Sequence, residues 1–142
     1  MRKRICVIDG QGGGIGVALI KRLKELFGET LEILALGTNA VATSQMMKAR
    51  ANRGASGENA IIQTVAEADL IVGPLSITWA NAMMGEVTPG IALAVTSSQA
   101  PKFLLPLFHQ EGVTIVGLSG EPLPHLVEDL VAFKIKEYLE NV

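Results

Sequence analysis

Residues 9–16, DGQGGGIG, are the part of the sequence whose residue types point most clearly to chemistry. Five glycines leave the backbone amides of this stretch uncovered, and the N–H groups of such loops bind phosphate and other anions. An apolar run over residues 5–8 precedes the loop and an amphipathic pattern follows it, so the loop leads from a strand into the positive end of a helix dipole. The predicted ligand-binding residues of this loop are Asp9, Gly10, Gln11, Gly12, Gly13, Gly14, Ile15 and Gly16.

The spacing of the glycines favours one type of nucleotide loop. No frame in the stretch fits the GxGxxG pattern, and no Gly-Lys-Ser/Thr follows that would complete a Walker loop. Gly10, Gly14 and Gly16 do fit GxxxGxG. Over about the first 40 residues, the chain therefore resembles the cofactor loop of the short-chain dehydrogenases/reductases, a Rossmann family that uses NAD or NADP. The resemblance implies a dinucleotide whose diphosphate lies on residues 10–16.

Two departures from that family limit what the resemblance implies. The family's catalytic Tyr-x-x-x-Lys is absent, because the only tyrosine, Tyr138, is followed four residues later by Val142. The hydroxyl-oxidising reaction of the family is therefore not expected here. Asp9 stands where the family has threonine, and a carboxylate about 4 Å from a diphosphate would repel it by roughly 1–4 kcal/mol. We interpret Asp9 as an acceptor that shapes the loop or, as a second interpretation, as a contact to a ligand hydroxyl or Mg²⁺.

The end of the second predicted strand bears on which cofactor is bound. NAD-binding proteins of the Rossmann type carry an acidic residue there, which holds the ribose diol of the adenosine. This strand instead continues into Thr38 and Asn39, which offer donors to a ribose hydroxyl or a 2′-phosphate. The predicted cofactor is therefore NAD or NADP, with NADP slightly favoured, or a smaller mononucleotide. Thr38 and Asn39 suit the N-cap of the next helix equally well.

Residues 50–59 form a second concentration of polar residues. Two glycines free the backbone there, and a guanidinium offers a forked pair of donors to an anion. The residues of this possible second ligand loop are Arg53, Ser56, Glu58 and Asn59. The alternative interpretation is an exposed connection between two helices.

The third predicted strand is followed by Gly73, Pro74 and Ser76. These residues are predicted ligand contacts, because ligands of doubly wound sheets bind beyond the carboxyl ends of the strands. The prediction comes from the topology and not from a motif, since the three residues match no known phosphate loop.

Two residues, His125 and Glu58, are the candidates for an acid or base. His125 falls in the first turn of the last predicted helix, where the helix dipole favours a neutral imidazole. The alternative is an inert surface histidine. His109 lies in a connection, and no metal-ligand spacing joins it to His125, so no metal site is predicted.

Apolar runs that alternate with helical patterns predict the fold. Runs typical of strands buried on both faces cover residues 5–8, 31–36, 70–72, 103–107 and 113–118. This order predicts a single domain over residues 1–142, a Rossmann-like three-layer α/β sandwich with a mainly parallel sheet of about five strands. Only residues 109–112 separate the last two strands, too few for a helical crossover. Those two strands are predicted to form an antiparallel pair, or the fourth to end early at Pro106.

The composition argues against several classes of function. A formal charge of −2 provides no attraction to nucleic acid or to anionic membranes. The single cysteine, Cys6, rules out an intrachain disulfide framework and is predicted to be a core residue. The first apolar run is too short for a signal peptide, and no run reaches the roughly 20 apolar residues of a membrane span, so a cytoplasmic protein is predicted. Hydrophobic residues make up 49%, and this content together with apolar residues 77–95 predicts a homo-oligomer.

Six phrases spread along the chain carry a second resemblance: IDGQGGGIG, LGTNAVATS, ANRGASGENAI, GPLSI, GEVTP and EPLPH. Together they are similar to a family of short bacterial proteins described only as a domain of unknown function, which implies no particular activity. With the glycine loop, the leading hypothesis is a protein that binds NAD(P) or a related nucleotide, with the diphosphate on residues 10–16. The alternatives are a non-catalytic sensor or accessory subunit, and an enzyme that acts on a small phosphorylated metabolite.

Overall fold

Strands and helices alternate along residues 2–142, which are the residues described by the computed structural model. The strands are β1 (Lys3–Asp9), β2 (Leu31–Gly37), β3 (Arg53–Ser56), β4 (Leu70–Pro74) and β5 (Lys102–Leu105). The helices are α1 (Gly14–Phe27), α2 (Ala40–Lys48), α3 (Glu58–Val65), α4 (Pro89–Ser97), α5 (Leu123–Glu128) and α6 (Lys136–Glu140). A π-helical segment, Asp129–Ile135, joins α5 to α6. Short 3₁₀ turns precede β2 and follow β4.

The five strands form one parallel sheet in the order β3-β2-β1-β4-β5. β1 pairs with β2 along its whole length, from Lys3 opposite Leu31 to Asp9 opposite Gly37. On its other side β1 pairs with β4. The chain therefore winds outward from β1 in both directions, and the carboxyl ends of β1 and β4 flank the topological switch point of a Rossmann-like sheet. The predicted α/β class and parallel sheet are confirmed.

The predicted antiparallel pair at the end of the sheet is wrong. Residues 113–118 form no strand but part of a turn-rich connection, in which Val116 is 93% exposed and both Gly112 and Gly117 adopt positive φ. β5 pairs with β4 in parallel and ends at Leu105, as the alternative of an early end at Pro106 anticipated. An apolar run with no facing layer to bury it does not form a strand, because burial is what favours such runs in sheets.

One of the five strands, β3, was not predicted, because its residues were expected to lie in a loop. β3 is a four-residue edge strand, paired with β2 from Leu34 opposite Arg53 to Gly37 opposite Ser56. Its glycine marks close helix packing and not a turn, since a Cβ on Gly54 would lie 3.0 Å from Met47 Cγ of α2. Short edge strands with exposed polar side chains lack the apolar pattern from which strands are predicted.

Two apolar clusters cover the two faces of the sheet and complete the three layers. Alternate residues of each strand point to opposite faces. One cluster joins α1, α2 and the C-terminal helices to residues such as Val7 and Ile33, and the other joins α3 and α4 to residues such as Cys6 and Ile71. Burial raises the pKa of the Cys6 thiol to about 12, in keeping with its predicted core position.

The apolar stretch of residues 77–95 is divided between core and surface. Ile77, Val87 and Ile91 are buried, whereas Leu93 is 66% and Met84 97% exposed. The homo-oligomer predicted from this stretch stays a prediction. Within the part of the chain that is described, no helix has both the length and the apolar character needed to cross a bilayer.

Candidate functional site

A cleft of about 760 Å³ lies at the topological switch point. It is lined by the loops that follow β1, β4 and β5, that is, by Asp9, Gly10, Gln11, Gly12, Gly13, Gly14, Ile15, Ser76, Asn81, Met83, Met84, Leu107, Phe108, His109 and Gln110. Volumes of ~300–1,000 Å³ are typical of small-molecule sites. Seven of the eight residues predicted from the glycine loop line the cleft, and Gly16 lies just behind them in α1.

A tight turn shapes the glycine loop at the entrance to α1. The amide of Gly13 donates to the carbonyl of Gly10 at 2.9 Å, and Gly13, the N-cap residue, adopts φ +77°. A side chain at Gly13 would also lie 3.0 Å from the backbone of Ala42 in α2. This glycine is therefore required by the backbone conformation and by the packing of α2 against the loop.

Asp9 holds the two ends of the loop together. Its carboxylate is buried, with 3% of the residue exposed. The Gly10 amide donates to Oδ1 at 2.8 Å and the Gly16 amide to Oδ2 at 2.7 Å. Burial raises the pKa of Asp9, amide hydrogen bonds from Gly16, Gly10 and Ile15 partly offset the rise, and the nearby charge of Glu86 adds to it. Asp9 thus acts as the acceptor that shapes the loop, the first of its two interpretations.

The glycines of the loop fall into two groups according to what surrounds them. A Cβ on Gly10 would meet Thr38 and lie 2.6 Å from Met83 Sδ, and one on Gly16 would meet Met46. A Cβ on Gly12 or Gly14 would have no protein atom within 4 Å, and neither residue adopts positive φ. Among residues 2–142, no acceptor takes up the amides of Gly12 and Gly14. The protein's own packing explains the first pair but not the second.

The carboxylate of Glu86 connects the glycine loop to the residues that follow β2. Its Oε1 accepts hydrogen bonds from the Gln11 amide at 2.8 Å, from Thr38 Oγ1 at 2.7 Å and from Asn39 Nδ2 at 2.7 Å. Partial burial raises the pKa of Glu86, but these three hydrogen bonds outweigh burial and leave the pKa below its usual value. Thr38 and Asn39, the predicted cofactor contacts, therefore bind Glu86 and do not line the cleft.

Asn39 also has the structural role that its sequence position suggested. Its Oδ1 accepts from the Ala42 amide at 2.8 Å, which makes it the N-cap of α2. Its Nδ2 donates to the Gln11 carbonyl at 3.0 Å as well as to Glu86. One amide side chain thus connects the helix that follows β2 to the loop that follows β1.

Backbone strain is concentrated around the cleft. Asn81, Met83 and Met84 adopt φ of 69°, 57° and 57°, and Gln11 in the facing loop adopts φ of 50°. All four line the cleft, and such left-handed conformations in non-glycine residues are costly and cluster at functional sites. Segment 79–87 is held by its own hydrogen bonds, among them Asn81 N to Val87 O at 2.6 Å.

The loop after β5 contributes residues that were not predicted to bind a ligand. Leu107, Phe108, His109 and Gln110 line the cleft opposite the glycine loop, and the Phe108 ring meets the ring of Trp79 edge-on at 4.9 Å. The signal available in the sequence was their position directly after an apolar run. The same rule that selected Ser76 after β4 would have selected them after β5.

The second predicted ligand loop does not reach the cleft. Arg53 pairs with Glu32 at 3.0 Å, and Ser56 Oγ lies 2.7 Å from Thr43 Oγ1 beside β3. Glu58 accepts from Thr88 Oγ1 at 2.7 Å and so ties the start of α3 to that of α4, and its neighbour Asn59 is exposed. None of these four residues lines the cleft.

Three other predicted residues also lie outside the lining of the cleft. Gly73 and Pro74 are buried within β4, where their neighbours are the adjacent strands. His125 is exposed in the first turn of α5. Of the residues predicted after the third strand, Ser76 lines the cleft. Among the described residues, no three His, Cys, Asp or Glu side chains are grouped as the ligands of a metal ion would be.

The sequence profile of a family described as a domain of unknown function (DUF3842) matches residues 4–140. No curated protein matches the chain.

Proposed function

This chain belongs to the DUF3842 family, a domain of unknown function, and we propose that it binds a phosphate-bearing nucleotide in the cleft at the switch point of its sheet. The observation that carries the proposal is the pair of amides at Gly12 and Gly14, which lack acceptors within residues 2–142 and stand beside open space. At neither position would an added methyl group have a protein atom within 4 Å. A ligand that must approach the backbone closely supplies the missing reason for these glycines.

The position of these amides favours an anionic group. Gly14 is the first residue of α1, a 14-residue helix, and the N-terminal end of such a helix carries a partial positive charge. No lysine or arginine among residues 2–142 lines the cleft, so the amides and the helix are its main source of positive potential. Asp9 weakens this potential only in part, because both of its oxygens are already bound to loop amides.

The other residues that line the cleft suit the base and the sugar of a nucleotide. Met83, Met84, Leu107 and Phe108 present apolar and aromatic surface, while Ser76, Asn81 and Gln110 present polar groups. A mostly apolar wall with a few polar groups is typical of small-molecule sites. NAD and NADP stay predictions within this proposal, and so do the alternatives of a sensor subunit and of an enzyme acting on a phosphorylated metabolite.

Alanine substitutions at Gly12 and Gly14 test the proposal. We expect Gly12→Ala/Gly14→Ala to leave the melting temperature of the free protein unchanged or slightly raised, because both added methyl groups enter open space. The wild type should be stabilised by a nucleotide from a panel of NMN, AMP, FMN, NAD, NADP and FAD, by about 2.7 kcal/mol at 100 times Kd. The double variant should lose that stabilisation. The measurement is thermal unfolding with and without each nucleotide.

Two outcomes would contradict the proposal. One is a wild-type protein whose melting temperature responds to none of the nucleotides at millimolar concentration. The other is a double variant that responds as the wild type does. His125→Ala is the control variant, since His125 is exposed and does not line the cleft.

His109 provides a second test on the opposite wall of the cleft. We expect His109→Ala to weaken nucleotide binding about 5-fold, which corresponds to roughly 1 kcal/mol for one hydrogen bond to the ligand. His125→Ala should leave the dissociation constant unchanged. Isothermal titration calorimetry with the best ligand of the panel measures both, and equal effects of the two substitutions would contradict a role for His109.

A further inference from the structure

We infer that Glu86 restricts the cleft to ligands of mononucleotide size, because its carboxylate occupies the donors that the second half of a dinucleotide would need. The inference rests on the proposed function and narrows its class of ligand. It concerns a residue on the β4–α4 connection that accepts a hydrogen bond from the glycine loop.

The donors bound by Glu86 come from two different loops. The Gln11 amide belongs to the loop after β1, whereas Thr38 Oγ1 and Asn39 Nδ2 follow β2. In Rossmann sheets, the end of the second strand is where the ribose of the adenosine half is held. All three donors converge on one oxygen, Oε1, so they are unavailable to a ribose or phosphate oxygen while Glu86 stays in place.

The shape of the cleft agrees with this occupation. The described residues that line the cleft come from the loops after β1, β4 and β5. None of them comes from the end of β2. A dinucleotide extends across the switch point over both halves of the sheet. The open volume here lies over one half, so a base and ribose have room beside β4 and β5 with their phosphate on Gly12 and Gly14.

Neighbouring groups fix the position of Glu86. Val87 is fully buried and Ala82 nearly so, and these two residues anchor segment 79–87 on either side of its exposed tip. The amide of Glu86 donates to the Met83 carbonyl at 3.1 Å. A Cβ on Gly10 would lie 3.0 Å from Glu86 Oε1, so the carboxylate packs directly against the loop that would bind a diphosphate.

Binding constants for matched ligand pairs test the inference. The pairs are NMN with NAD and FMN with FAD, because each dinucleotide contains its mononucleotide. For the wild type we expect at least one mononucleotide to bind 10-fold or more tightly than its dinucleotide partner. Glu86→Ala should improve the affinity for that dinucleotide at least 10-fold and change the affinity for the mononucleotide less than 3-fold. Isothermal titration calorimetry measures all four constants.

Two further variants separate occupation from charge and guard against misfolding. Glu86→Gln keeps a side-chain oxygen for the three donors and should discriminate as the wild type does, within 3-fold. Glu86→Asp keeps the charge but withdraws the carboxylate by one methylene from the three donors, and it should improve dinucleotide affinity by a few-fold, even if Glu86→Ala does not fold. Circular dichroism checks the folding of each variant.

Failure of the proposed function and failure of this inference would give different binding results. If no mononucleotide or dinucleotide binds to any folded variant, the proposed function is wrong. If the wild type binds a mononucleotide and its dinucleotide equally, and neither Glu86→Ala nor Glu86→Asp changes that ratio, nucleotide binding stands and the inference is wrong. The inference is also wrong if Glu86→Gln admits the dinucleotide as well as Glu86→Ala does, since the side chain would then not act by occupation.

Discussion

Asp9→Asn is expected to lower the free energy of unfolding by about 3 kcal/mol. Both carboxylate oxygens of Asp9 accept backbone amides in a buried position, and a buried amide left without an acceptor costs about 1–3 kcal/mol. Asparagine has one oxygen, so its NH₂ group would face the amide of Gly10 or Gly16 donor to donor. Urea unfolding at pH 7 measures the loss.

Asp69→Asn is the matched control for this prediction. Asp69 also accepts one backbone amide, that of Arg4 at 2.8 Å, but it is exposed. Water replaces the lost acceptor there, so we expect a loss below about 1 kcal/mol. A loss of unfolding free energy for Asp9→Asn as small as that for Asp69→Asn would show that the loop does not depend on Asp9.

The pH dependence of the Asp9→Asn effect has a definite sign. Because the pKa of Asp9 is raised in the folded protein, the folded state binds a proton that the unfolded state releases between the usual aspartate pKa and the raised value. The part of Asp9's contribution to stability that is linked to this proton is therefore fully present below the usual aspartate pKa and is lost as the pH rises through the raised value. The stability difference between wild type and Asp9→Asn should be larger near pH 4 than at pH 7. A difference that shrinks toward pH 4 would contradict the assignment.

The pKa shift of Glu86 makes stability depend on pH with the opposite sign. Glu86 is present in both the wild type and Asp9→Asn. Its pKa is lowered, so its contribution to stability is present above the usual glutamate pKa and is lost as the pH falls. Taking the difference between wild type and Asp9→Asn removes this contribution to first order. Unfolding of Glu86→Gln over the same pH range would reveal it separately.

The parts of the site that could be predicted are those fixed by neighbouring residues in the sequence. Asn39 and Thr88 cap α2 and α4 through hydrogen bonds that span three residues, and the glycine loop is continuous in the chain. The two ends of the loop are bridged by Asp9 over seven residues. Such contacts follow from residue type and spacing, as helix caps and turns do.

The parts that could not be predicted depend on contacts between distant segments. Glu86 binds Gln11 across 75 residues and Thr38 across 48, and nothing in the phrase GEVTP signals either partner. β3 likewise becomes a strand because β2 offers it a ladder, although its own residues resemble a loop. His109 enters the cleft only because β5 lies next to β4. These features follow from the order of strands in the sheet and not from local pattern.

Gly73→Ala is expected to destabilise the fold strongly, although Gly73 does not adopt positive φ. Gly73 was predicted to contact a ligand, but it is buried in β4. An added Cβ would lie 2.5 Å from the Ile8 carbonyl oxygen and 3.0 Å from Ile77 Cδ1. The carbonyl belongs to the central strand and cannot move aside as a flexible side chain can, so we expect a loss of about 3 kcal/mol, at the upper end for overpacking.

Gly14→Ala makes the same chemical change one strand away and serves as the comparison. No protein atom lies within 4 Å of a Cβ at Gly14, and alanine favours a helix by up to about 1 kcal/mol over glycine, so stability should hold or rise. Urea unfolding of both variants distinguishes a glycine that close strand packing requires, as at Gly73, from one that the packing does not require, as at Gly14. If Gly73→Ala unfolds at the urea concentration of the wild type, close strand packing is not what requires that glycine. A contact with a ligand, tested by titrating the variant with nucleotides, would then be the remaining explanation.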